Sequence, residues 1–393
     1  MSYVDLGYKP EETDLICEFS IEPGKGLGVK DVADKVAAES STGTWVDVTT
    51  TKPYVKGLGA RVFYIKGKTV KIAYPLDLFE LRNVPQILSS VAGNIFGMKA
   101  VRNLRLEDID FPERVIRSFR GPRFGIKGVR KLFGVERPLL GTIIKPKIGL
   151  RTEDHTRVAY DAWTGGCDIV KDDENLSNQG FNPFRRRVVR TLEMRNKAGK
   201  ETGEVKAYMP NITAETREML RRAEFVKRQG GKYIMVDVMT VGWSALQTLR
   251  DEVLGLIIHA HRAMHAAITR NKKHGISMLV VAKLARLIGV DQLHIGTIIG
   301  KMEGKRSEVT DIEDEIEERI IKPDIKNHVL AEDWFSIKPV FAVCSGGLAP
   351  KHVPRLVKML GKDIIIQMGG GIHGNPKGSL EGARVARKMV DSL

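Results

Sequence analysis

From Gly141 onward the chain repeats one alternation: a short apolar, β-type run, a polar or glycine-rich stretch, then a segment with helical spacing of apolar residues. The runs begin near Gly141 (GTIIKPKI), Cys167 (CDIVKDDE), Lys206 (KAYMPNIT), Tyr233 (YIMVDVMT), Gly255 (GLIIHAHR), Leu293 (LHIGTIIG), Pro339 (PVFAVCSGG) and Asp363 (DIIIQMGGG). Segments such as TREMLRRAEFVKRQGG and KHVPRLVKMLG between them carry the 3.6-residue period of an amphipathic helix. The starts recur about every 32 residues, the length of a βαβ unit. Eight such units over about 250 residues predict a (β/α)8 TIM barrel rather than a doubly wound sheet.

Residues 1–125 follow another pattern. LICEFSIEP and ARVFYIKGKTVKIAYPL read as a strand and a hairpin, DVADKVAAES and VPQILSSVAGNIFG as helices, and RNLRLEDIDFP as a further strand. This predicts a smaller N-terminal α+β domain with an antiparallel sheet, ahead of a barrel domain over 126–393. The segment SFRGPRFGIKGVRKLFGVERP, rich in Gly, Pro and basic residues, reads as the connection.

Composition narrows the class. With 393 residues, 42% hydrophobic and 28% charged, the chain suits a globular protein with a large core. The opening MSYVDLGYKPEETD is acidic and polar, unlike a secretory leader, and no apolar run is long enough to span a bilayer. The expected location is the cytoplasm, with no membrane partner. Cys17, Cys167 and Cys344 are scattered without metal-site spacing and read as buried free thiols. The net charge of +15 is spread over many helices without a stacking-aromatic pattern, so nucleic acid is not the expected partner. Steering of an anionic small substrate accounts for part of it.

Polar residues gather at the carboxyl ends of the eight runs, the active-site face of barrel enzymes: Lys145, Lys147, Lys171 to Glu174, Asn211, Asp237, His259, His261, Arg262, His294, Ser345 and Gly369 to Gly371. Asp172, Asp173 and Glu174 invite a hard cation such as Mg²⁺, which takes oxygen ligands, whereas an ammonium at Lys171 repels it. The conflict disappears if the Lys171 amine takes up CO₂, because the carbamate is an anion with two oxygens. Lys171, Asp173 and Glu174 then supply three anionic ligands; the plainer alternative is a salt-bridged lysine on a polar loop. Ser345-Gly346-Gly347 and Gly369-Gly370-Gly371 follow the last two strands, the usual phosphate position of barrels. Lys145 and Lys147, two residues apart, project to one face of a strand and suit an anionic substrate or acid–base work. His261, Arg262 and His294 suit a second phosphate or proton transfer, while His265 and His274 read as structural. Three glycines around Lys301 (GTIIGKMEG) suit a hinged lid or a plain flexible loop.

With those residues assembled, the chain resembles the large subunit of ribulose-1,5-bisphosphate carboxylase/oxygenase (Rubisco), archaeal type. GGCDIVKDDE, IIKPKIGL, HAHRAMHAA, HIGTIIGKMEG, CSGG, QMGGG, ESSTGTW and GNIFGMKA carry the resemblance, in family order and over almost the whole chain. It implies carboxylation of ribulose 1,5-bisphosphate with CO₂ and water to two 3-phosphoglycerates, through a Mg²⁺-bound enediolate, with O₂ competing. A Rubisco-like enolase or isomerase that stops before carboxylation is the alternative.

The resemblance also assigns roles. It makes Lys171 the carbamylated lysine, holding Mg²⁺ with Asp173 and Glu174. Lys145 and Lys147 serve proton transfer, and Lys301 is the lid lysine that steadies CO₂. Thr44, Trp45, Gly347, Gly369 and Gly370 bind one phosphate, Arg262 and His294 the other, and His261 and Ser345 contact the hydroxyl region. Glu39, Thr44, Trp45 and Asn94 enter from a partner subunit, so a homodimer or ring of dimers is implied. The archaeal likeness favours nucleotide salvage or a related non-photosynthetic route. Two departures stand out. Ile143 aligns with a substrate-contacting Thr of many relatives, and the chain ends soon after Gly371, where relatives continue into a tail that helps pin the lid.

Overall fold

The hydrophobic runs before residue 120 form a sheet. A computed structural model describes residues 2–43, 48–252, 254–299 and 306–393. In it β1 (Leu15–Pro23) pairs antiparallel with both β3 (Thr69–Tyr74) and β4 (Val101–Asp110), and β2 (Arg61–Lys66) pairs antiparallel with β3. Gly67 takes a positive φ of 60° in the tight β2–β3 turn, a conformation that costs glycine little. A helix over Val29–Glu39 buries Val32, Ala33, Val36 and Ala37, a stripe at helical spacing.

The eight apolar runs of the second part become β5 (Leu139–Ile143), β6 (Ile169–Lys171), β7 (Ala207–Met209), β8 (Tyr233–Asp237), β9 (Ile257–His261), β11 (Gln292–Gly296), β14 (Phe341–Ser345) and β15 (Ile364–Met368), in a chain whose β10 (Gly275–Ile276), β12 (Ile320–Ile321) and β13 (Glu332–Asp333) lie elsewhere. The eight form one parallel sheet in the order β7-β6-β5-β15-β14-β11-β9-β8. A parallel bridge from Asn211 to Met235 links the two outer strands. Met235 N donates to Pro210 O at 2.9 Å and Ile212 N to Met235 O at 3.0 Å. The sheet thus closes into the predicted barrel.

The chain divides into two compact units: Met1–Arg120, Met264–Leu287 and Glu318–Ile337 form one, and Gly121–Ala263, Ile288–Glu317 and Lys338–Leu393 the other. The first unit therefore takes up two later segments. β10 adds to β4 in parallel, so its sheet is mixed rather than purely antiparallel. Buried charge ties these pieces together: Lys283, fully buried, lies 2.9 Å from Asp108 Oδ1 and 3.5 Å from Glu332 Oε2, and donates to Ile109 O at 2.8 Å. A buried ammonium is tolerable only when paired in this way. His265 (Nδ1 to Thr269 Oγ1, 2.9 Å) and His274 (Nδ1 accepting from Leu104 N, 3.2 Å) are partnered within this unit, as structural histidines are.

In the second unit the segment read as a connection holds a helix, Gly125–Phe133. Its Val129 and Phe133 pack into one cluster with Leu139, Ile169, Met209, Tyr233, Met235, Ile257, Phe341, Val343 and Ile365. The helix forms because Ile126, Val129, Leu132 and Phe133 gather its apolar side chains on one side, against the barrel's floor. Cys17, Cys167 and Cys344 are buried free thiols, and no helix among the described residues is long and apolar enough to cross a membrane.

Candidate active site

The two-residue period of a strand carries each chain of inward side chains from the apolar floor to a polar rim. Tyr233 and Met235 lead to Asp237, Ile257 to His259 and His261, Ile169 to Lys171, and Phe341 and Val343 to Ser345. Chemistry therefore collects at the carboxyl ends, around Lys171.

Lys171 is completely buried. Its Nζ donates to Asp172 O at 2.8 Å and lies 3.8 Å from Glu174 Oε2. Burial holds this amine below the usual lysine range, with Glu174, Asp173, Asp237 and Asp172 opposing. Lys145 Nζ donates to Asp173 Oδ2 at 2.8 Å, and Lys147 Nζ lies 3.7 Å from Glu174 Oε1. The two lysines do not sit on a strand as expected: β5 ends at Ile143, two residues before Lys145. Both nonetheless reach the acids. Glu174, despite a burial that favours its neutral form, is held down to about 2 by Lys171, His261 and Lys147.

The three adjacent acids are not equivalent. Asp172 has no exposure; its Oδ1 accepts from Tyr208 Oη (2.7 Å) and faces His155 Nε2 (3.2 Å). Its Oδ2 accepts from Arg187 Nε (3.1 Å) and Asn211 N (3.0 Å). Burial would raise its carboxyl, but Arg187 and His155 hold it well below the usual range. Asp172 is spent on structure. Asp173 and Glu174 lie outside this cluster: Asn175 N and Nδ2 donate to Asp173 Oδ1 (3.2 and 3.0 Å), and Asn211 Nδ2 donates to Glu174 O (3.0 Å). No motif or spacing pointed to His155, Arg187 or Tyr208, which come from two helices and a neighbouring strand.

His261 Nδ1 is 2.9 Å from Asp237 Oδ1, which turns Nε2 toward Glu174 Oε2, 3.7 Å away. The rings of His261 and His294 meet edge to face with centroids 4.7 Å apart. Both nitrogens of His294 are engaged, Nε2 with His259 Nε2 (2.9 Å) and Nδ1 with Ser345 Oγ (2.8 Å). Arg262 is drawn down to about 10 by burial, with Glu308 opposing, and stays a cation. A side chain at Gly296 would meet the Arg262 guanidinium at 2.6 Å.

The two glycine turns touch. A Cβ at Gly371 would lie 2.2 Å from Leu348 O and 2.9 Å from Ala349 Cα, so no larger residue fits. A Cβ at Gly369 would come 3.0 Å from Lys145 Cε, while Gly370 faces open space. His373, which drew no attention in the sequence, pins this turn: its Nε2 lies 2.8 Å from Thr142 Oγ1, itself a donor to Met368 O (2.6 Å), and its Nδ1 lies 2.9 Å from Ser379 Oγ. Burial takes His373 down to about 4, so the ring is neutral.

Lys145, Lys147, Lys171, Asp173, Glu174, His261, Arg262, His294, Ser345, Gly347, Gly369 and Gly370 all belong to the barrel unit, at or just beyond strand ends. Ile143 pairs with Lys171 across β5 and β6. Glu39, the last residue of its helix, and Asn94, the first of a 3₁₀ turn, lie in the other unit. Thr44, Trp45 and Lys301 fall outside the described residues.

Two acids suited to a cation are thus in place, Asp173 and Glu174. Among the described residues no group of three His, Cys, Asp or Glu side chains is arranged to hold a metal. The Lys171 amine lies beside the pair, 3.8 Å from Glu174 Oε2. The donor set fits Mg²⁺ once that nitrogen carries CO₂.

Comparison with known proteins bears on this arrangement. Residues 125–393 match the family model "Ribulose bisphosphate carboxylase large chain, catalytic domain", and residues 2–115 match its N-terminal domain. The chain is 53% identical over 397 residues to a ribulose bisphosphate carboxylase of Methanosarcina mazei, covering 99% of this chain and 93% of that one. It is 52% identical to that of Methanocaldococcus jannaschii, covering 100% and 94%. Among solved structures it is similar to the dimeric archaeal Rubisco of Hyperthermus butylicus, with TM-score 0.94, 44% identity and coverage of 99% and 92%. It is also similar to the octameric Rubisco of Pyrococcus horikoshii, with TM-score 0.92, 45% identity and coverage of 99% and 90%.

Proposed function

The chain belongs to the ribulose bisphosphate carboxylase large-chain family and is an enzyme, a ribulose bisphosphate carboxylase, and from that premise we propose how its barrel site works. The substrates are D-ribulose 1,5-bisphosphate, CO₂ and water, the products two 3-phosphoglycerates, and O₂ competes with CO₂. The observation that carries the reading is the convergence of a buried Lys171, its amine depressed by that burial, with Asp173, Glu174 and Lys145 at the strand ends. Only a neutral amine can attack CO₂, and burial favours that form at Lys171.

When bound by Asp173, Glu174 and the Lys171 carbamate, Mg²⁺ supplies Lewis-acid polarisation of the substrate's oxygens. The other tasks fall to side chains. Lys145, paired with Asp173, protonates the carbon left by C2–C3 cleavage; Lys147, more exposed, assists proton transfer at C2 and C3. His261, oriented by Asp237, meets the hydroxyl region with Ser345. Gly347, Gly369 and Gly370 offer backbone N–H groups to one phosphate, and Arg262, with His294 beside it, faces the other. By family likeness Lys301 steadies CO₂, and Glu39, Thr44, Trp45 and Asn94 come from a partner subunit. The dimeric and octameric state of the similar archaeal structures supports a homodimer or ring of dimers. A salvage route for nucleotides is the metabolic setting we favour.

Incubation with labelled CO₂ and ribulose bisphosphate tests the reading. Label in 3-phosphoglycerate is expected. Consumption of the bisphosphate without label in any product would support the enolase or isomerase alternative instead.

A further inference from the structure

A line of buried side chains runs up the barrel interior to the rim. Gln292 Nε2 donates to Tyr233 Oη at 3.0 Å, and Gln292 Oε1 lies 2.8 Å from His259 Nδ1. His259 Nε2 faces His294 Nε2 at 2.9 Å, and His294 Nδ1 lies 2.8 Å from Ser345 Oγ. Tyr233, His259 and Gln292 have no exposure at all, and His294 almost none. The reaction outlined above uses only the last two members of this line.

With the Gln292 amide oriented as above, counting protons sets the polarity. Gln292 Oε1 can only accept, so His259 carries hydrogen on Nδ1. Burial above all pulls His259 down to about 3, so the ring is neutral and its Nε2 is a bare lone pair. Two lone pairs at 2.9 Å would repel, so His294 must place its proton on Nε2. Burial above all holds His294 well below its ordinary value, so its Nδ1 is an acceptor in turn. The Ser345 hydroxyl is then obliged to donate inward. The opposite polarity requires the Gln292 amide to be turned over and His294 to carry its proton on Nδ1.

We propose that His259 is a positioning residue of the carboxylase site: by fixing the His294 proton on Nε2 it makes Ser345 donate inward, leaving the Ser345 oxygen to accept a hydrogen bond from a substrate hydroxyl. The inference rests on Ser345 lining the substrate site. Its consequence is selectivity: the site accepts a carbon bearing O–H opposite Ser345 and disfavours one bearing only a carbonyl, which would face another acceptor.

Nitrogen-15 NMR of histidine-labelled wild-type protein tests the first link without reference to turnover. His294 is expected to show a protonated Nε2 and a bare Nδ1; a proton on Nδ1 overturns the proposal. Two variants test the link to catalysis. His259→Gln keeps a side-chain oxygen that can accept from His294 Nε2, whereas His259→Leu does not. The Leu variant should lose about 10- to 100-fold in kcat, the usual effect of removing an orienting partner, with KM for ribulose bisphosphate little changed. The Gln variant should recover most of that loss. Equal kcat in the two variants would sink the idea. A wild-type enzyme that fixes no labelled CO₂ would instead overturn the carboxylase reading, and the His294 tautomer would still decide whether the line of hydrogen bonds is ordered as stated.

Discussion

Lys145 Nζ sits 2.8 Å from Asp173 Oδ2, a half-buried ammonium against a carboxylate whose side chain is 1% exposed. The pair means that the acid offered to a cation already has one. A divalent ion at Asp173 competes with that ammonium for the carboxylate's charge. Lys145→Met should therefore tighten binding of Mn²⁺, a Mg²⁺ surrogate followed by electron paramagnetic resonance. The same change should cut carboxylation at least about 100-fold, the scale of a lost general acid. Unchanged turnover would remove Lys145 from proton transfer.

Lys171 is held below the ordinary lysine range by its burial, so its neutral form is reached at lower pH than for a free lysine. Preincubation with bicarbonate and Mg²⁺ should raise activity, and more so as pH rises, because the neutral fraction grows. Lys171→Ala should abolish turnover with the fold retained by circular dichroism. Activity indifferent to both bicarbonate and Mg²⁺ is the result that defeats the carbamate.

Asp172 and Asp173 are neighbours with opposite sensitivities. Asp172→Asn strips the charge from a site where Arg187 and His155 converge in full burial. It should cost about 3–5 kcal/mol, the penalty for breaking a buried ion pair, seen as a lowered denaturant midpoint. Asp173→Asn should leave the midpoint much nearer the wild type while abolishing activity. If the two variants lose stability equally, the division between structural and chemical acid is wrong.

Asp237 holds His261 through Nδ1 at 2.9 Å. Asp237→Asn keeps the shape but removes the charge that fixes the ring's tautomer. A fall of about 10- to 100-fold in kcat is expected, with substrate KM less affected. Steady-state kinetics that match the wild type would show that His261 needs no such orientation.

Glu313 lies on the helix Arg306–Glu317 of the barrel unit, buried and with no hydrogen bond to Oε1. Burial, then Asp314, raises it from an ordinary 4.5 to about 8. Below 4.5 both folded and unfolded chains hold the proton, and above about 8 neither does. Between these values the folded chain holds it and the unfolded chain has released it, so stability falls as pH rises. Glu313→Gln, neutral throughout, should flatten the decline in melting temperature between about pH 5 and about pH 9, as calorimetry would show. A variant that declines as steeply as the wild type would place the cause elsewhere.

Strand spacing and side-chain alternation are local properties, and the sequence expressed them plainly. The eight apolar runs, the polar residues at their carboxyl ends and the glycine pairs after the last two could be read along the chain, because a strand's two-residue period sends alternate side chains to one face whatever surrounds it. Family motifs then supplied roles. Partnership across the barrel was not legible. KDDE presents three acids in a row, and only folding brings Arg187, Tyr208 and His155 onto Asp172 while leaving Asp173 to Lys145. The capture of residues 264–287 and 318–337 by the first unit, the helix within 118–138 and the Gln292–His259–His294–Ser345 line were equally hidden. Each depends on which distant groups share a desolvated volume, where an unpaired charge or lone pair is costly, and that cost is settled by tertiary packing alone.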